Sequence, residues 1–342
     1  MCFRVFRDFR GKKYNFASLP NTLYLCPMKF WEEIDKELTN NHRVALLYVL
    51  TSQGSSPGRQ GFKMLVSQSG LLYGSIGGGL MEHNMVELAK KQVHHPPVAP
   101  QIHRLIHRKN QVDSSGLICS GEQTVAIYVL AQKDKIWVES ILQANGIGVL
   151  HLSEKGMQFT PNQDLTEKFT TQITPNKWLI QEDLGYRPTL HIIGGGHVSL
   201  ALSKLATELD FKVYVYDDRP NINTFQNNPH AETVFISNYV DIARFIPQGM
   251  RHYIVIMSFM FDTDLLILRK LLPQKFKYLG MMGSQQKVKT LRHQLSKEGI
   301  ASKSISRLHA PIGIKISSQT PAEIAVSILA EIIQTKNQKK EN

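Results

Sequence analysis

Residues 189–199 read TLHIIGGGHVS, and this stretch decides the fold. The apolar run Thr189 to Ile193 passes directly into Gly194-Gly195-Gly196, and a helical pattern follows through Ala201, Leu202, Leu205 and Leu209. The order fits G-x-G-x-x-G/A with Ser199 at the third position. Gly194 permits the tight turn, Gly196 lets backbone N–H groups approach a diphosphate, and small Ser199 keeps helix and strand close. The helix N-terminus is then an anion site, with His197 at the turn. Working outward, the next strand candidate, Lys212 to Tyr216, ends in Asp217-Asp218-Arg219-Pro220. Asp217 lies 23 residues after Gly194, where an acid accepts hydrogen bonds from a ribose diol. Apolar runs centred near Leu190, Val213, Val234, Ile254 and Tyr278 recur at spacings of 23, 21, 20 and 24 residues. That rhythm predicts βαβ units and a Rossmann-like doubly wound parallel sheet over residues 187–337, because each parallel strand needs a crossover before the next.

Further along the same half, the strand candidate Phe276 to Leu279 leads into Gly280-Met281-Met282-Gly283-Ser284 and a helix starting near Gln285. Gly283 and Ser284 would offer amides and a hydroxyl at the carboxyl end of the sheet, either to a ligand or simply to cap the helix. The last helix has a capping box, Thr320 with Glu323, and Pro321 at its first position. Ile324, Val326, Ile328 and Ile332 are expected to form its apolar face.

The first half carries glycine-rich segments of its own. Val44 to Leu50 is a strand candidate that runs into the Ser- and Gly-rich loop Thr51 to Arg59. Ser55 and Arg59 are its candidate anion contacts, with Lys63 close behind. After the strand Met64 to Ser67 and a turn at Gly70 comes Gly74-Ser75-Ile76-Gly77-Gly78-Gly79, then a helix through Glu82, Leu88 and Ala89. No Lys-Ser/Thr pair follows these glycines, so this is not a Walker loop. The expectation is a second phosphate-cradling helix start at Gly77, Gly78 and Gly79, with Glu82 either capping the helix or serving the site. Cys119 precedes the strand candidate Thr124 to Leu130. Its thiol is either accessible and reactive or a buried small hydrophobe.

Composition narrows the classes. The 342 residues suffice for roughly two domains, and 42% apolar with 20% charged residues excludes disordered and collagen-like chains. Three scattered cysteines support neither a disulfide framework nor a thiolate metal cage, so a reducing, cytoplasmic setting is the default. Residues 1–27 hold Arg4, Arg7, Arg10, Lys12 and Lys13 against Asp8, which is +4 of the net +12, and read as a leader with Met28 as an alternative start. The remaining charge is dispersed, and no helix-turn-helix, zinc-finger or RNP pattern occurs, which excludes a nucleic-acid partner. No apolar run reaches the ~20 residues of a membrane helix. His103 and His107 would form a metal-binding i, i+4 pair only on a helix; a solvated basic edge is preferred. The expected organisation is a smaller N-terminal α/β domain over 28–152, a polar linker over 153–186, the Rossmann-like domain over 187–337 and a tail over 338–342.

Taken together, these motifs resemble the XdhC/CoxI family of accessory proteins for molybdenum hydroxylases such as xanthine dehydrogenase. The resemblance covers most of residues 30–335. It rests on Gly54-Ser55-Ser56-Pro57, Gly61 to Val66, Gly74 to Gly79 with Glu82, the Cys119 segment, Gly194 to Val198, Asp217 to Pro220, Gly280 to Ser284 with Lys287, Pro311-Ile312-Gly313, and Thr320 to Ala325. Many relatives have Cys-Gly-Gly where this chain has Cys119-Ser120-Gly121, and Thr-His-Asp where it has Met257-Ser258-Phe259. The resemblance implies a protein that binds molybdenum cofactor (molybdopterin), promotes its sulfuration with a cysteine desulfurase, and delivers it to an apo molybdenum hydroxylase client, acting as a homodimer. It implies cofactor contacts near Gly77 to Gly79 and Gly194 to His197, donors from Ser55 and Arg59, and Cys119 near the metal or incoming sulfur. The alternative is an NAD(P)-dependent oxidoreductase using the same glycine loop and Asp217. Against it, no Lys, Tyr or His proton donor stands out after the later strands.

Overall fold

The structure, a computed structural model, describes residues 27–95, 99–107, 121–174, 177–236 and 238–338. The chain forms two compact units, one ending at Gly185 and one beginning at Tyr186, except that the short segment Leu165–Lys168 belongs with the second. The expected leader, most of the tail and Cys119 lie outside the described residues.

The first unit contains α1 (Pro27–Thr39), β1 (Val44–Gly54), β2 (Lys63–Ser67), β3 (Leu72–Gly74), α2 (Gly79–Gln92), β4 (Gln101–His107) and β5 (Gly121–Leu130). It continues with α3 (Lys135–Gln143), β6 (Gly148–Ser153), β7 (Gly156–Pro161), β8 (Phe169–Ile173) and β9 (Trp178–Asp183). Five strands form an antiparallel sheet in the order β3-β2-β1-β5-β4. Central β1 is fully buried from Val44 to Leu50 because both its faces are covered, which is why it reads as an unbroken apolar run. Ala45, Leu47 and Val49 pack with Met81, Met85 and Ala89 of α2, while Leu46, Tyr48 and Leu50 pack with Trp31 and Ile34 of α1. The strand persists to Gly54, so Thr51 to Gly54 pair with β5 instead of looping.

The stretch 153–186 is not a linker. It supplies three strands of a second antiparallel sheet, order β7-β6-β9-β8, whose Leu150, Leu152, Trp178 and Ile180 join the α1-side core. Its polarity comes from strands with one covered face: β9 alternates buried with half-buried residues, and β8 has no buried residue. A buried polar pin joins the sheets: Tyr48 donates to Glu182 Oε2 at 2.5 Å and Lys63 Nζ lies 2.9 Å from the same oxygen. Lys63 is therefore committed to Glu182, and its ammonium also lies over the Trp31 and Tyr48 rings. Burial and Glu182 push the Tyr48 hydroxyl well above its ordinary pKa. His103 and His107 fall on edge strand β4, not on a helix, so the i, i+4 geometry for a metal does not arise.

The second unit has β10 (Thr189–Ile193), α4 (His197–Thr207), β11 (Lys212–Asp217), α5 (Asn223–Gln226), β12 (Glu232–Phe235), α6 (Ile242–Phe245) and β13 (Gly249–Ile256). It ends with α7 (Phe261–Leu271), β14 (Phe276–Met281), α8 (Gln285–Lys297), α9 (Ser302–Ser306), β15 (Leu308–His309) and α10 (Pro321–Asn337). All its strand pairs are parallel, in the order β12-β11-β10-β13-β14-β15. This is the doubly wound Rossmann order, with its switch point between β10 and β13, where ligands bind beyond the carboxyl ends of the strands. Leu190, Val213 and Val255 pack on α4 and α10; Ile193, Ile254 and Leu279 pack on α7 and α8. On α10 the capping box forms as expected, and Ile328 and Ile332 are buried. Val326 is instead exposed, since two residues along a helix is the opposite face. Among the described residues no helix is long and apolar enough to cross a membrane.

Candidate functional site

Both units place a glycine loop before a helix, and the two loops are built differently. In the first unit, the segments after β1 and β3 cross backbone to backbone. A Cβ at Gly58 would lie 2.2 Å from the Ile76 carbonyl oxygen, and one at Gly77 2.5 Å from the Gly58 nitrogen. Gln123, fully buried on β5, bolts the crossing: its Oε1 accepts from Ser56 Oγ at 2.6 Å and Gly58 N at 3.0 Å, and its Nε2 donates to the Ile76 carbonyl at 3.1 Å. Nothing local in the sequence marks Gln123, because its partners lie 42 to 67 residues away.

Glu82 then fills the anion position itself. Its Oε2 accepts from Ser75 Oγ at 2.6 Å, Ile76 N at 2.8 Å and Gly78 N at 3.0 Å, while Gly77 N donates to Ser75 Oγ. A carboxylate at a helix start is favoured by the amides and dipole it meets. The expectation of open amides at Gly77 and Gly78 is corrected accordingly: an incoming anion would have to displace Glu82. Gly79 opens α2, Ser55 is exposed, and exposed Arg59 donates to the Gly54 carbonyl at 3.1 Å.

In the second unit the loop after β10 is held from beneath. Gly194 N donates to the Tyr216 carbonyl at 2.8 Å, and Thr224 Oγ1 donates to the Gly195 carbonyl at 2.5 Å. A Cβ at Gly194 would meet the Met257 carbonyl oxygen at 2.5 Å, which places this loop beside the one after β13. At Gly196, by contrast, a Cβ would meet nothing within 4 Å, and His197 is exposed. Ser199 in the first turn of α4 is buried, and its Oγ has no hydrogen-bond partner among the described residues.

Asp217 is where the fingerprint places it, at the end of β11, and is fully buried. Its Oδ2 accepts from Gly195 N at 2.6 Å and Arg219 Nη2 at 2.9 Å; its Oδ1 accepts from Arg219 N and Nε, each at 2.9 Å. Burial pushes this carboxyl's pKa up, but the Arg219 fork and the Gly195 amide outweigh it and hold the group below the usual range. The residue expected to take a ribose diol is thus occupied by the protein.

A third cluster lies after the later strands. Asp264, on α7 and fully buried, forms an ion pair with Lys287 Nζ at 2.6 Å and accepts a short hydrogen bond from Ser258. Burial raises the Asp264 pKa against the pull of Lys287 and Ser258. Gly283 runs past the Lys287 stem, and exposed Ser284 caps α8 by accepting from Lys287 N at 3.2 Å. A cation therefore stands after the later strands, held in an ion pair by Asp264. The sequence places Lys287 in a family-like motif but does not show its partner, 23 residues away on another helix. Among the described residues no cluster of His, Cys, Asp and Glu is arranged to hold a metal.

A Rossmann unit with a phosphate-type glycine loop, preceded by an antiparallel unit with a self-capped loop, defines the class of protein. Profile comparison gives the family: the XdhC and CoxI family matches residues 38–96, and the XdhC Rossmann domain matches residues 190–332. The chain belongs to this family. It is 28% identical over 316 residues to the Escherichia coli uncharacterized protein YqeB, covering 91% of this chain but spanning only 47% of that protein, about half its length. It is 25% identical to a Bacillus subtilis protein named as a probable xanthine dehydrogenase subunit, over 90% of this chain and 97% of that one. A crystal structure described as a xanthine dehydrogenase from Bacillus halodurans shares the fold, with TM-score 0.63 at 22% identity, covering 92% of this chain and 98% of that one.

Proposed function

We propose that this protein is an accessory factor in the maturation of a xanthine-dehydrogenase-type molybdenum hydroxylase, binding molybdenum cofactor and assisting its sulfuration and insertion. The observation that carries the reading is the pair of family matches, one on each unit, in a family associated with xanthine dehydrogenase maturation. The near full-length similarity to the Bacillus subtilis protein, whose name ties it to xanthine dehydrogenase, supports it.

The donor set at the second glycine loop fits the anionic, phosphate-bearing end of such a cofactor: open space over Gly196, exposed His197 and the half-exposed Arg219 guanidinium. Those residues would hold it, and the cofactor would supply the metal and dithiolene chemistry used by the client. The first loop fits an added anion less well, because Glu82 already occupies it. Cys119 is the proposed contact for metal or sulfur. A cysteine desulfurase and the apo client are the proposed partners, with a homodimer in a cytoplasmic, reducing setting.

The test is to purify the protein from cells that make the cofactor, oxidise it and assay for fluorescent pterin, for wild type and Cys119→Ser. Bound pterin that survives Cys119→Ser while client activation is lost is the expected result. A preparation without pterin, from a host with the pathway intact, rules out cofactor binding. The second reading, an NAD(P)-dependent oxidoreductase, draws support from the Rossmann strand order and the open space over Gly196. Turnover of a small carbonyl substrate with NAD(P)H would establish it.

A further inference from the structure

The Asp217–Arg219 pair in the second unit fixes which ligand chemistry the Rossmann loop accepts. A carboxylate offers about four lone-pair positions. At Asp217 all are engaged, by the Gly195 amide and by the Arg219 amide, Nε and Nη2. The acid is a positioning residue: it holds Gly195, which Thr224 grips from the other side. A ribose diol would have to break these charge-assisted bonds in a fully buried site, which is unfavourable.

Arg219 is committed on one edge only. Its side chain is half exposed, and apart from Asp217 its one charged neighbour among the described residues is Asp218, 3.9 Å away. The remaining guanidinium N–H groups have no partner among the described residues. A planar cation, tethered by its inner edge and with its outer donors free, suits a dianionic phosphate oxygen array. We propose that Arg219 makes the mouth of the Rossmann glycine loop a phosphomonoester site that rejects a free ribose diol. The shared chemistry is a terminal phosphomonoester. Two ligands carry it, a 2′-phosphorylated dinucleotide and the phosphate end of a pterin cofactor, and only the second rests on the proposed function above.

The experiment titrates the full chain with NADP⁺ and NAD⁺ by calorimetry and measures bound pterin, for wild type, Arg219→Ala and Arg219→Lys. If the phosphate is nucleotide-borne, NADP⁺ binds at least about tenfold tighter than NAD⁺, and Arg219→Ala removes that preference while Asp217 regains acceptors for the diol. If it is pterin-borne, NADP⁺ gives no heat and Arg219→Ala retains at least about tenfold less pterin than wild type. Arg219→Lys keeps a charge beside buried Asp217 and guards against a folding failure, with an intermediate affinity expected because the fork is lost. The proposal is overturned if NAD⁺ binds as tightly as NADP⁺, or if Arg219→Ala changes neither NADP⁺ affinity nor bound pterin, including the case where wild type binds neither. Preference for NADP⁺ without any pterin would end the cofactor reading and leave this one standing. Pterin that ignores Arg219, with no NADP⁺ preference, would do the reverse.

Discussion

The two glycine loops look alike as sequence and differ as chemistry. Gly77 serves backbone contact, a Cβ at Gly78 would meet nothing within 4 Å, and the amides around them are capped by Glu82 from the same helix. At Gly194 to Gly196 the first two glycines serve contact and Gly196 faces open space as Gly78 does, but here the nearby acid is closed by an arginine whose outer donors have no partner among the described residues. A glycine loop before a helix is thus an anion site only if the protein has not supplied the anion itself.

The largest test of that contrast is Gly58→Ala. Its Cβ would lie 2.2 Å from backbone, so a loss of about 3 kcal/mol or more is expected in urea unfolding. Near wild-type stability would show the crossing to be pliable. A comparable effect comes from acid, and it concerns the second unit. Burial and neighbouring His252 hold His191 down to about 3, where it bonds the Tyr216 hydroxyl and His252. The unfolded chain takes up this proton first as pH falls below the ordinary value of about 6.5, so stability is full above that pH and declines toward 3. Between pH 6.5 and 4 the loss is about 3 kcal/mol, and His191→Gln flattens the slope. An unchanged slope in that variant would place the pH sensitivity elsewhere.

Gln123→Leu leaves Ser56, the Gly58 amide and the Ile76 carbonyl without their partner, with a loss of about 2 kcal/mol expected. Glu82→Ala costs about 1 kcal/mol and opens the first loop, so added inorganic phosphate should raise the melting temperature of the variant more than that of wild type. Equal shifts would mean the amides relax when Glu82 is removed. The smallest effect belongs to Gly196→Ala, within about 0.5 kcal/mol, because the added methyl meets nothing. Any ligand that packs on the loop should lose affinity in this variant despite its stability. Unchanged ligand affinity would show that the open space is not the site.

Much of the fold was legible. The strand spacings foretold the parallel sheet, and Asp217 falls at the end of β11 as the fingerprint requires. The region 153–186 was not legible, because one-sided strands with polar outer faces resemble loops until their buried partners are known. Nor was the pairing of charged groups. Lys63 follows the candidate anion contacts closely in sequence, yet Glu182, 119 residues away, holds it. Lys287 stood in a family-like motif, but its pairing with Asp264 on another helix was not visible.

The sequence by itself determined the strand order of the Rossmann unit, its parallel sheet, the glycine loops and the family, because periodicity and turn residues act between near neighbours along the chain. Only the tertiary structure decided which donors and acceptors are still open. Glu82 closes one loop, Arg219 closes Asp217 and Glu182 holds Lys63, each through distances that depend on how the backbone brings the groups together. A carboxylate or cation is available to a ligand only when no buried partner has reached it first, and that is settled by packing.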